Sequence, residues 1–211
     1  MYLYSRTVQL TGDPRKSIPI AMGMAELVNK KSDLQVSLWR TVLGAPVGTM
    51  GYSAFVQSHA ELDAAVSSLL ADQEYLERVA EIQQYIAAPP EDQLVEILHN
   101  AGREYRRAEV GGIVNLVTAQ VANARFGAAM KWSIEMAELV AEITGNPNIF
   151  GRSVAGAFGT VGWITAVADM AAVDAANEAL NKDPRYLAKL DEMSDVFVPG
   201  SGHTSLLRRM A

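Results

Sequence analysis

The amino-acid sequence predicts an α+β protein in which two copies of one βαββαβ module pack sheet to sheet. Three observations lead to this prediction: an internal repeat, the same order of strand and helix patterns in both copies, and strands that are apolar on both faces. The copies span about residues 1–100 and 109–211, with a linker at about 99–108. A chain of 211 residues can form one large domain or two small ones.

The internal repeat is clearest in the central part of each copy. When residues 38–80 are placed over residues 149–191, a constant shift of 111, 12 of the 43 positions are identical. The matches include a Gly-Thr-x-Gly sequence that begins at Gly48 and again at Gly159. Because such a sequence is rarely matched by chance, we infer that the module is duplicated.

A second match lies upstream, where Met-Ala-Glu-Leu occurs at residues 24–27 and again at 136–139. Here the shift is 112 rather than 111. We therefore expect a one-residue difference in length in the loop near Ser32 or Pro147.

The elements of the first copy follow from hydrophobic periodicity, strand-forming residues and turn signals. Apolar residues three and four positions apart indicate the helices, and Ser58 is a candidate N-cap of the second helix. The expected order is strand Tyr2–Leu10, a helix opening at Asp13, strands Leu34–Leu43 and Val47–Gln57, helix Ala60–Leu70, a short turn at Tyr75-Leu76, a loop at 87–91 and strand Gln93–Leu98.

The second copy repeats this order with a longer first helix that Gly145 ends. Asp169 is the candidate N-cap of its second helix. The expected order is strand Gly112–Val121, helix Ala124–Thr144, strands Ile149–Val154 and Phe158–Ala168, helix Ala171–Leu180, a short turn at Tyr186-Leu187 and strand Thr204–Arg209.

The strands of the first copy are apolar in both registers. Val8 and Leu10 occupy one face, and Trp39 and Phe55 occupy the other. Since helices can cover only one face of a sheet, the second sheet is expected to cover the other.

This order of elements resembles the dimeric α/β-barrel superfamily, which includes antibiotic-biosynthesis monooxygenases, EthD-like and NIPSNAP-like proteins, ferredoxin-like polyketide cyclases and haem-handling relatives. The resemblance covers nearly the whole chain but includes no fingerprint of fixed residues. It implies two ferredoxin-like repeats that form within one chain the barrel that relatives form as dimers. It also implies a pocket between a sheet and its helices.

Composition and charge exclude several classes of partner. The 18 Lys and Arg residues against 24 Asp and Glu give a net charge of −6, whereas nucleic-acid binding needs a clustered basic face. Short basic groups at Arg103, Arg106 and Arg107 and at Arg208 and Arg209 are expected to be solvated. There is no cysteine, and no apolar run reaches the ~18–20 residues of a membrane span. We expect a cytoplasmic protein with no metal, cofactor, nucleic-acid or membrane partner, and leave a homo-oligomer open.

Four residues are candidates for catalysis. Metal-independent monooxygenases of the resembled family often place an asparagine, a tryptophan and a histidine around the substrate, which suggests roles for Asn115, Trp163 and His59. The histidine is not repeated in the second copy, where Met170 takes its place. Arg40, in a strand, is the fourth candidate. The structural alternatives are that Trp163 fills the core, that Asn115 is hydrogen-bonded within the barrel and that His59 is exposed.

Four further residues are candidates for substrate binding: Arg6, Trp39, Tyr52 and Phe55. An arginine in an apolar register either extends to the rim or binds an anionic group of a ligand. The aromatic residues, with Trp163, are expected to line the pocket between sheet and helices. Because the first copy has more of these residues, we expect it to hold the site.

Two functions from different classes fit the sequence. The first is a small-molecule enzyme of the cofactor-independent monooxygenase or polyketide-cyclase kind, acting on an aromatic or apolar substrate in the barrel pocket. The second is a non-catalytic protein that binds an apolar ligand or takes part in an assembly. Haem handling, through His59 or His203, is a third and weaker alternative.

Overall fold

The computed structural model describes residues 1–102 and 107–211, here called the first and the second half. Each half contains four strands, and the first strand, α-helix and following hairpin come in the predicted order. The first half consists of β1 (Tyr2–Leu10), α1 (Pro14–Lys31), β2 (Ser37–Leu43), β3 (Thr49–Val56), α2 (His59–Leu70), α3 (Gln73–Gln83) and β4 (Ile86–Ala101). The second consists of β5 (Ile113–Gln120), α4 (Phe126–Thr144), β6 (Asn148–Ala155), β7 (Thr160–Val167), α5 (Met170–Lys182), α6 (Pro184–Asp191), a short 3-10 helix (Glu192–Asp195) and β8 (His203–Arg209).

The eight strands form one closed antiparallel barrel. Its strand order is β1-β3-β2-β8-β5-β7-β6-β4, so each half contributes a four-stranded sheet with the same internal order. The two sheets join where β2 pairs with β8 and where β4 pairs with β6. Closure satisfies the backbone groups that two open sheets would leave at their edges. The α+β class and the intrachain barrel of two ferredoxin-like units are therefore confirmed.

Helices cover the outer face of the barrel. Helix α1 buries Ala21 and Ala25 completely against the first sheet, and α4 does the same with Ala129 and Ala137 on the second. Small residues at these positions let the helices approach the sheets closely. The core of each half thus lies between its sheet and its own helices, while the inner faces of both sheets enclose a shared lumen.

The predicted helix ends are confirmed. The side chain of Ser58 accepts a hydrogen bond from the backbone N–H of Glu61 (3.1 Å), and that of Asp169 accepts one from Ala172 (2.9 Å). Gly145 ends α4 with a φ of 69°, a left-handed conformation that glycine adopts readily. No helix in the described part of the chain is long and apolar enough to cross a bilayer.

Two local predictions were wrong. The segments with Tyr75 and Tyr186 are helices rather than turns, because Asp72 and Asp183 cap them. The predicted loop at 87–91 belongs to β4, which pairs there with β1 alone. Proline has no N–H to donate, but it is tolerated in a stretch of strand that is paired on one side only. The register between β1 and β4 shifts where the two prolines occur.

The register also corrects the alignment of the two copies. Gly51 pairs with Trp39, whereas its equivalent Gly162 pairs with Gly151. The counterpart of Gly151 is therefore Trp39, at a shift of 112, and not Arg40. The one-residue difference in length lies in the β6–β7 hairpin and not near Ser32 or Pro147.

The linker prediction is only partly covered by the structure. Residues 99–101, at its start, belong to β4. Arg103 and Arg106 lie outside the described residues. The domain boundaries at 1–100 and 109–211 stay a prediction.

Gly151 provides a test of barrel closure at the β4–β6 seam. A Cβ atom there would lie 2.6 Å from Cγ1 of Val95 and 2.7 Å from the backbone oxygen of Glu96. Gly151→Ala should therefore lower the free energy of unfolding by about 1–3 kcal/mol, as overpacking does. Urea unfolding measures this loss. In the matched control Gly51→Ala, a Cβ would meet nothing within 4 Å, and no loss is expected. Equal stability of the two variants would contradict the tight seam.

Candidate functional site

The lumen of the barrel is a cavity with a volume of about 260 Å³. All eight strands contribute inward-facing side chains to its wall. Most are apolar or carry a hydroxyl group. The aliphatic and aromatic ones are Leu3, Trp39, Phe55, Val95, Ile97, Val114, Leu116, Ile164 and Leu207, and the hydroxyl-bearing ones are Ser5, Thr7, Ser37, Thr41, Thr49, Ser53, Thr118, Ser153 and Ser205.

Glycines of the repeated Gly-Thr-x-Gly sequence keep this lumen open. Gly48 and Gly159 have φ values of 92° and 77° at the hairpin turns, which confirms their assignment to hairpin geometry. Gly51, three residues after Gly48, has no atom within 4 Å of its would-be Cβ. With Gly162 also in the wall, the missing side chains leave space in the middle of the barrel.

A pocket was predicted between a sheet and its helices. This prediction is wrong for the lumen, which lies between the two sheets. Helices pack so closely on the outer faces that little space remains there. Of the aromatic candidates, Trp39 and Phe55 do line the lumen. The indole nitrogen of Trp39 donates a hydrogen bond to Oγ of Ser53 (2.8 Å), which fixes the ring against the wall.

The other two aromatic candidates face the helices. Tyr52 borders the lumen, but its hydroxyl donates to the backbone oxygen of Ala21 in α1 (3.1 Å), and burial raises its pKa. Trp163 donates from its indole nitrogen to the backbone oxygen of Ser133 (3.1 Å). Its ring packs edge-on against Trp132, with centroids 6.0 Å apart. Trp163 therefore fills the second core, as the structural alternative stated.

A second, much smaller cavity of about 30 Å³ lies between the second sheet and helices α4 and α5. Asn115 and Thr165 line it. Nδ2 of Asn148 donates to Oγ1 of Thr165 (2.8 Å), and the buried Oδ1 atoms of Asn115 and Asn148 have no hydrogen-bond partner within the described residues. A cavity of this size has room for a water molecule but not for an aromatic substrate.

Arg6 is held in an ion pair on the outer face of the first sheet. Its Nε and Nη2 atoms each donate to a carboxylate oxygen of Asp92 at 2.7 Å. The hydroxyl of Tyr4 donates to the same carboxylate (3.2 Å), and burial raises the pKa of Tyr4. Arg6 therefore lies away from the lumen and has a partner in the protein.

The four catalytic candidates do not come together. Arg40 is exposed on the outer register of β2, opposite Met50 of β3. His59 begins α2 and contacts the ring of Tyr2, with centroids 4.7 Å apart. Asn115 and Trp163 lie in the second half, on the helix side of its sheet. No group of three or more His, Asp or Glu residues in the described ranges could hold a metal ion.

Polar residues of the lumen wall were missed by the sequence analysis. Ser5, Ser53 and Ser37 lie side by side on β1, β3 and β2 and are here called the serine row. The equivalent positions of the second half form an aliphatic row, which consists of Leu116, Ile164 and Ile149 on β5, β7 and β6. Serines at period two between apolar residues were the available signal. These serines distinguish the inward register, which lines the lumen, from the register that packs on helices.

Arg107 was also missed, because it was expected to be solvated. It is the one charged residue among the described residues that line the lumen. Its Nη2 atom donates to the backbone oxygen of Gln35 (2.7 Å), just before β2. Both halves consequently contribute to the wall of the lumen. The expectation that the first copy holds the site stays a prediction.

The ion pair of Arg6 leads to a prediction about pH. The hydrogen bonds from Arg6 hold the pKa of Asp92 below its usual value, so the carboxylate contributes to stability above the unfolded-state pKa of about 3.9. The contribution is lost as the pH falls through the lowered pKa. Both side chains are partly exposed, so Asp92→Asn should cost at most about 1 kcal/mol at pH 7.

Urea unfolding of wild type and Asp92→Asn at pH 7 and pH 3 tests this expectation. The difference in the free energy of unfolding should shrink at pH 3. An equal difference at both pH values would show that the charge of Asp92 is not the cause.

No family model and no curated protein matches the chain. Solved structures do match over its full length. The "Putative monooxygenase" of Fusobacterium nucleatum has a TM-score of 0.73 at 8% identity, covering 100% of this chain and 92% of that one. An anthrone oxidase-like protein has a TM-score of 0.66 at 13% identity, covering 100% and 92%.

A third match, a "Putative Chlorite dismutase", has a TM-score of 0.57 at 12% identity and covers 100% of this chain and 96% of that one. At such identities a likeness shows the fold and not the activity. The resemblance inferred from the order of elements is thus confirmed: the chain has the fold of the dimeric α/β-barrel superfamily, formed by two ferredoxin-like halves of one chain.

Proposed function

We propose that this protein binds a small, largely apolar molecule, such as an aromatic compound, in the lumen of its barrel. The observation that carries the proposal is the cavity of about 260 Å³ enclosed by all eight strands. Its volume is close to the lower end of the roughly 300–1,000 Å³ of small-molecule pockets. A few polar groups among mostly apolar walls are also typical of such sites.

The wall chemistry supports an apolar ligand with some hydrogen-bonding capacity. Trp39 and Phe55 offer aromatic surface, and the aliphatic row offers Leu116 and Ile164. Burial of apolar ligand surface would contribute about 25 cal/mol per Å². The serine row can orient a ligand without requiring that it be charged.

A monooxygenase or polyketide-cyclase activity on such a molecule is the second candidate. The solved structures named as monooxygenase and anthrone oxidase-like share this fold and favour it. The described lumen wall contains no carboxylate and no imidazole that could act as a general base. The geometry therefore supports binding better than it supports proton abstraction, and cofactor-independent oxygenation would require a substrate that ionises readily.

The residues do not fit the haem-handling alternative. The ring of His59 packs on Tyr2, and Nε2 of His203 lies 3.2 Å from Oγ of Ser205. His99 lies 3.4 Å from a carboxylate oxygen of Glu138. None of the three lines either cavity, so none is placed to act as an axial ligand.

A large side chain at position 51, which would fill the lumen, tests the binding proposal. The probe is N-phenyl-1-naphthylamine, an uncharged aromatic dye whose fluorescence rises in apolar surroundings. Wild type should bind it, and Gly51→Leu should bind at least tenfold more weakly, because the new side chain occupies the lumen. Fluorescence titration measures both affinities.

Gly127→Leu is the matched control, since Gly127 is exposed on α4 and also has nothing within 4 Å of its would-be Cβ. It should bind the dye as wild type does. Thermal unfolding shows whether each variant is folded. Unchanged binding by folded Gly51→Leu, or no binding by wild type, would contradict the proposal.

A further inference from the structure

We propose that the lumen recognises a monocarboxylate, whose carboxylate lies against Arg107 and the serine row while its apolar body lies against the aliphatic row. The inference rests on the proposed function and deepens it, because it specifies the chemical class of the ligand. Four observations support it.

The first observation is an unbalanced charge. Arg107 lines a cavity whose other described lining residues are all uncharged. Within the described residues its guanidinium has no ion-pair partner and makes one hydrogen bond, to the backbone oxygen of Gln35. The remaining N–H groups can donate to a ligand. Arginine binds carboxylates well, because its planar fork of donors matches the two carboxylate oxygens.

The second observation is an unpartnered hydroxyl. Ser37 is 2% exposed, and its Oγ atom has no hydrogen-bond partner among the described residues. A buried polar atom normally has a partner, so an unpartnered hydroxyl in the wall of the lumen points to a ligand group that could serve as one. Ser37 lies two residues after Gln35, to which Arg107 is bonded. The orphaned hydroxyl and the guanidinium therefore belong to the same part of the lumen.

The third observation is an excess of donors at this place. Ser53, opposite Ser37 in the ladder, already accepts a hydrogen bond from Trp39, so one of its two lone pairs is occupied while its hydroxyl proton is available. Ser37 also offers a proton. With Arg107, which can only donate, the surroundings favour a ligand group that accepts several hydrogen bonds. A carboxylate does so.

The fourth observation is the contrast between the serine row of the first half and the aliphatic row of the second. In the first half, the serine row is extended on β4 by a further polar residue, Gln93, which pairs with Ser5. The second half has Leu116, Ile164 and Ile149 at the positions equivalent to the serine row. A molecule with one polar end and one apolar body matches this division, whereas a ligand that is polar all round would leave its other groups unpaired against the aliphatic row.

A matched pair of ligands tests the inference. 2-Naphthoate and 2-naphthamide have nearly the same shape, but only the first is charged at pH 7, because carboxyl groups have pKa values near 4. Isothermal titration calorimetry measures their affinities for wild type, Arg107→Gln and Arg125→Gln. Arg125→Gln is the control, because Arg125 is exposed before α4 and its side chain caps no helix.

Wild type should bind the carboxylate at least tenfold more tightly than the amide, as expected for charge-assisted hydrogen bonds. Arg107→Gln should remove this preference and leave amide binding within about threefold of wild type. Arg125→Gln should keep the preference. Ser37→Ala should weaken carboxylate binding to a smaller extent.

The possible failures are distinguishable. Equal binding of both ligands by wild type, or a preference that Arg107→Gln retains, would overturn the inference while leaving lumen binding in place. Binding of neither ligand by wild type would count against the proposed function and the inference together. Thermal unfolding of Arg107→Gln excludes a loss of fold as the cause.

Discussion

Closure of the barrel at its two seams is the constraint on which the rest of the structure depends. The pairing of β2 with β8 and of β4 with β6 joins two sheets that would each have two open edges alone. Closure encloses the inner faces, so side chains that would be exposed on an isolated half become the wall of a cavity. At the seam, β4 lies so close to Gly151 that a side chain there would overlap with it, whereas Gly51 borders the open space of the lumen. A half by itself would have neither the seam nor the lumen.

The order of elements could be predicted from the sequence, because an internal repeat allowed each pattern to be checked against a second copy. The location of the cavity was missed, because both registers of the strands contain apolar residues and the serines at period two in one of them were not recognised as a signal. Which register faces inward depends on pairings between the halves, which lie far apart in the sequence. The aromatic character of Trp39 and Phe55 was enough to identify them as residues of the pocket wall. The same reasoning failed for Tyr52 and Trp163, which in the structure bond to the covering helices. Arg107 was missed because its position depends on the path of the chain between the halves.

The two halves have the same strand order and differ in the residues that line the lumen. Equivalent positions hold Ser53 and Ile164 on β3 and β7, and Trp39 and Gly151 on β2 and β6. On the outer faces, residues that differ between the halves can still pack on the helices in the same way. Tyr52 and Trp163 occupy equivalent positions, and each donates a hydrogen bond to a backbone oxygen of the helix that covers it. Because the lumen is shared, such differences create one asymmetric site per chain. Two identical halves would give a symmetric cavity with the same wall on both sides.

Intermolecular NOEs from a bound aromatic ligand to assigned methyl groups would locate the ligand most directly. The account predicts NOEs to the methyl groups of Leu116, Ile164 and Leu207, which line the lumen. NOEs to Val140, Val173 and Leu180 instead, which line the small cavity under helices α4 and α5, would contradict it.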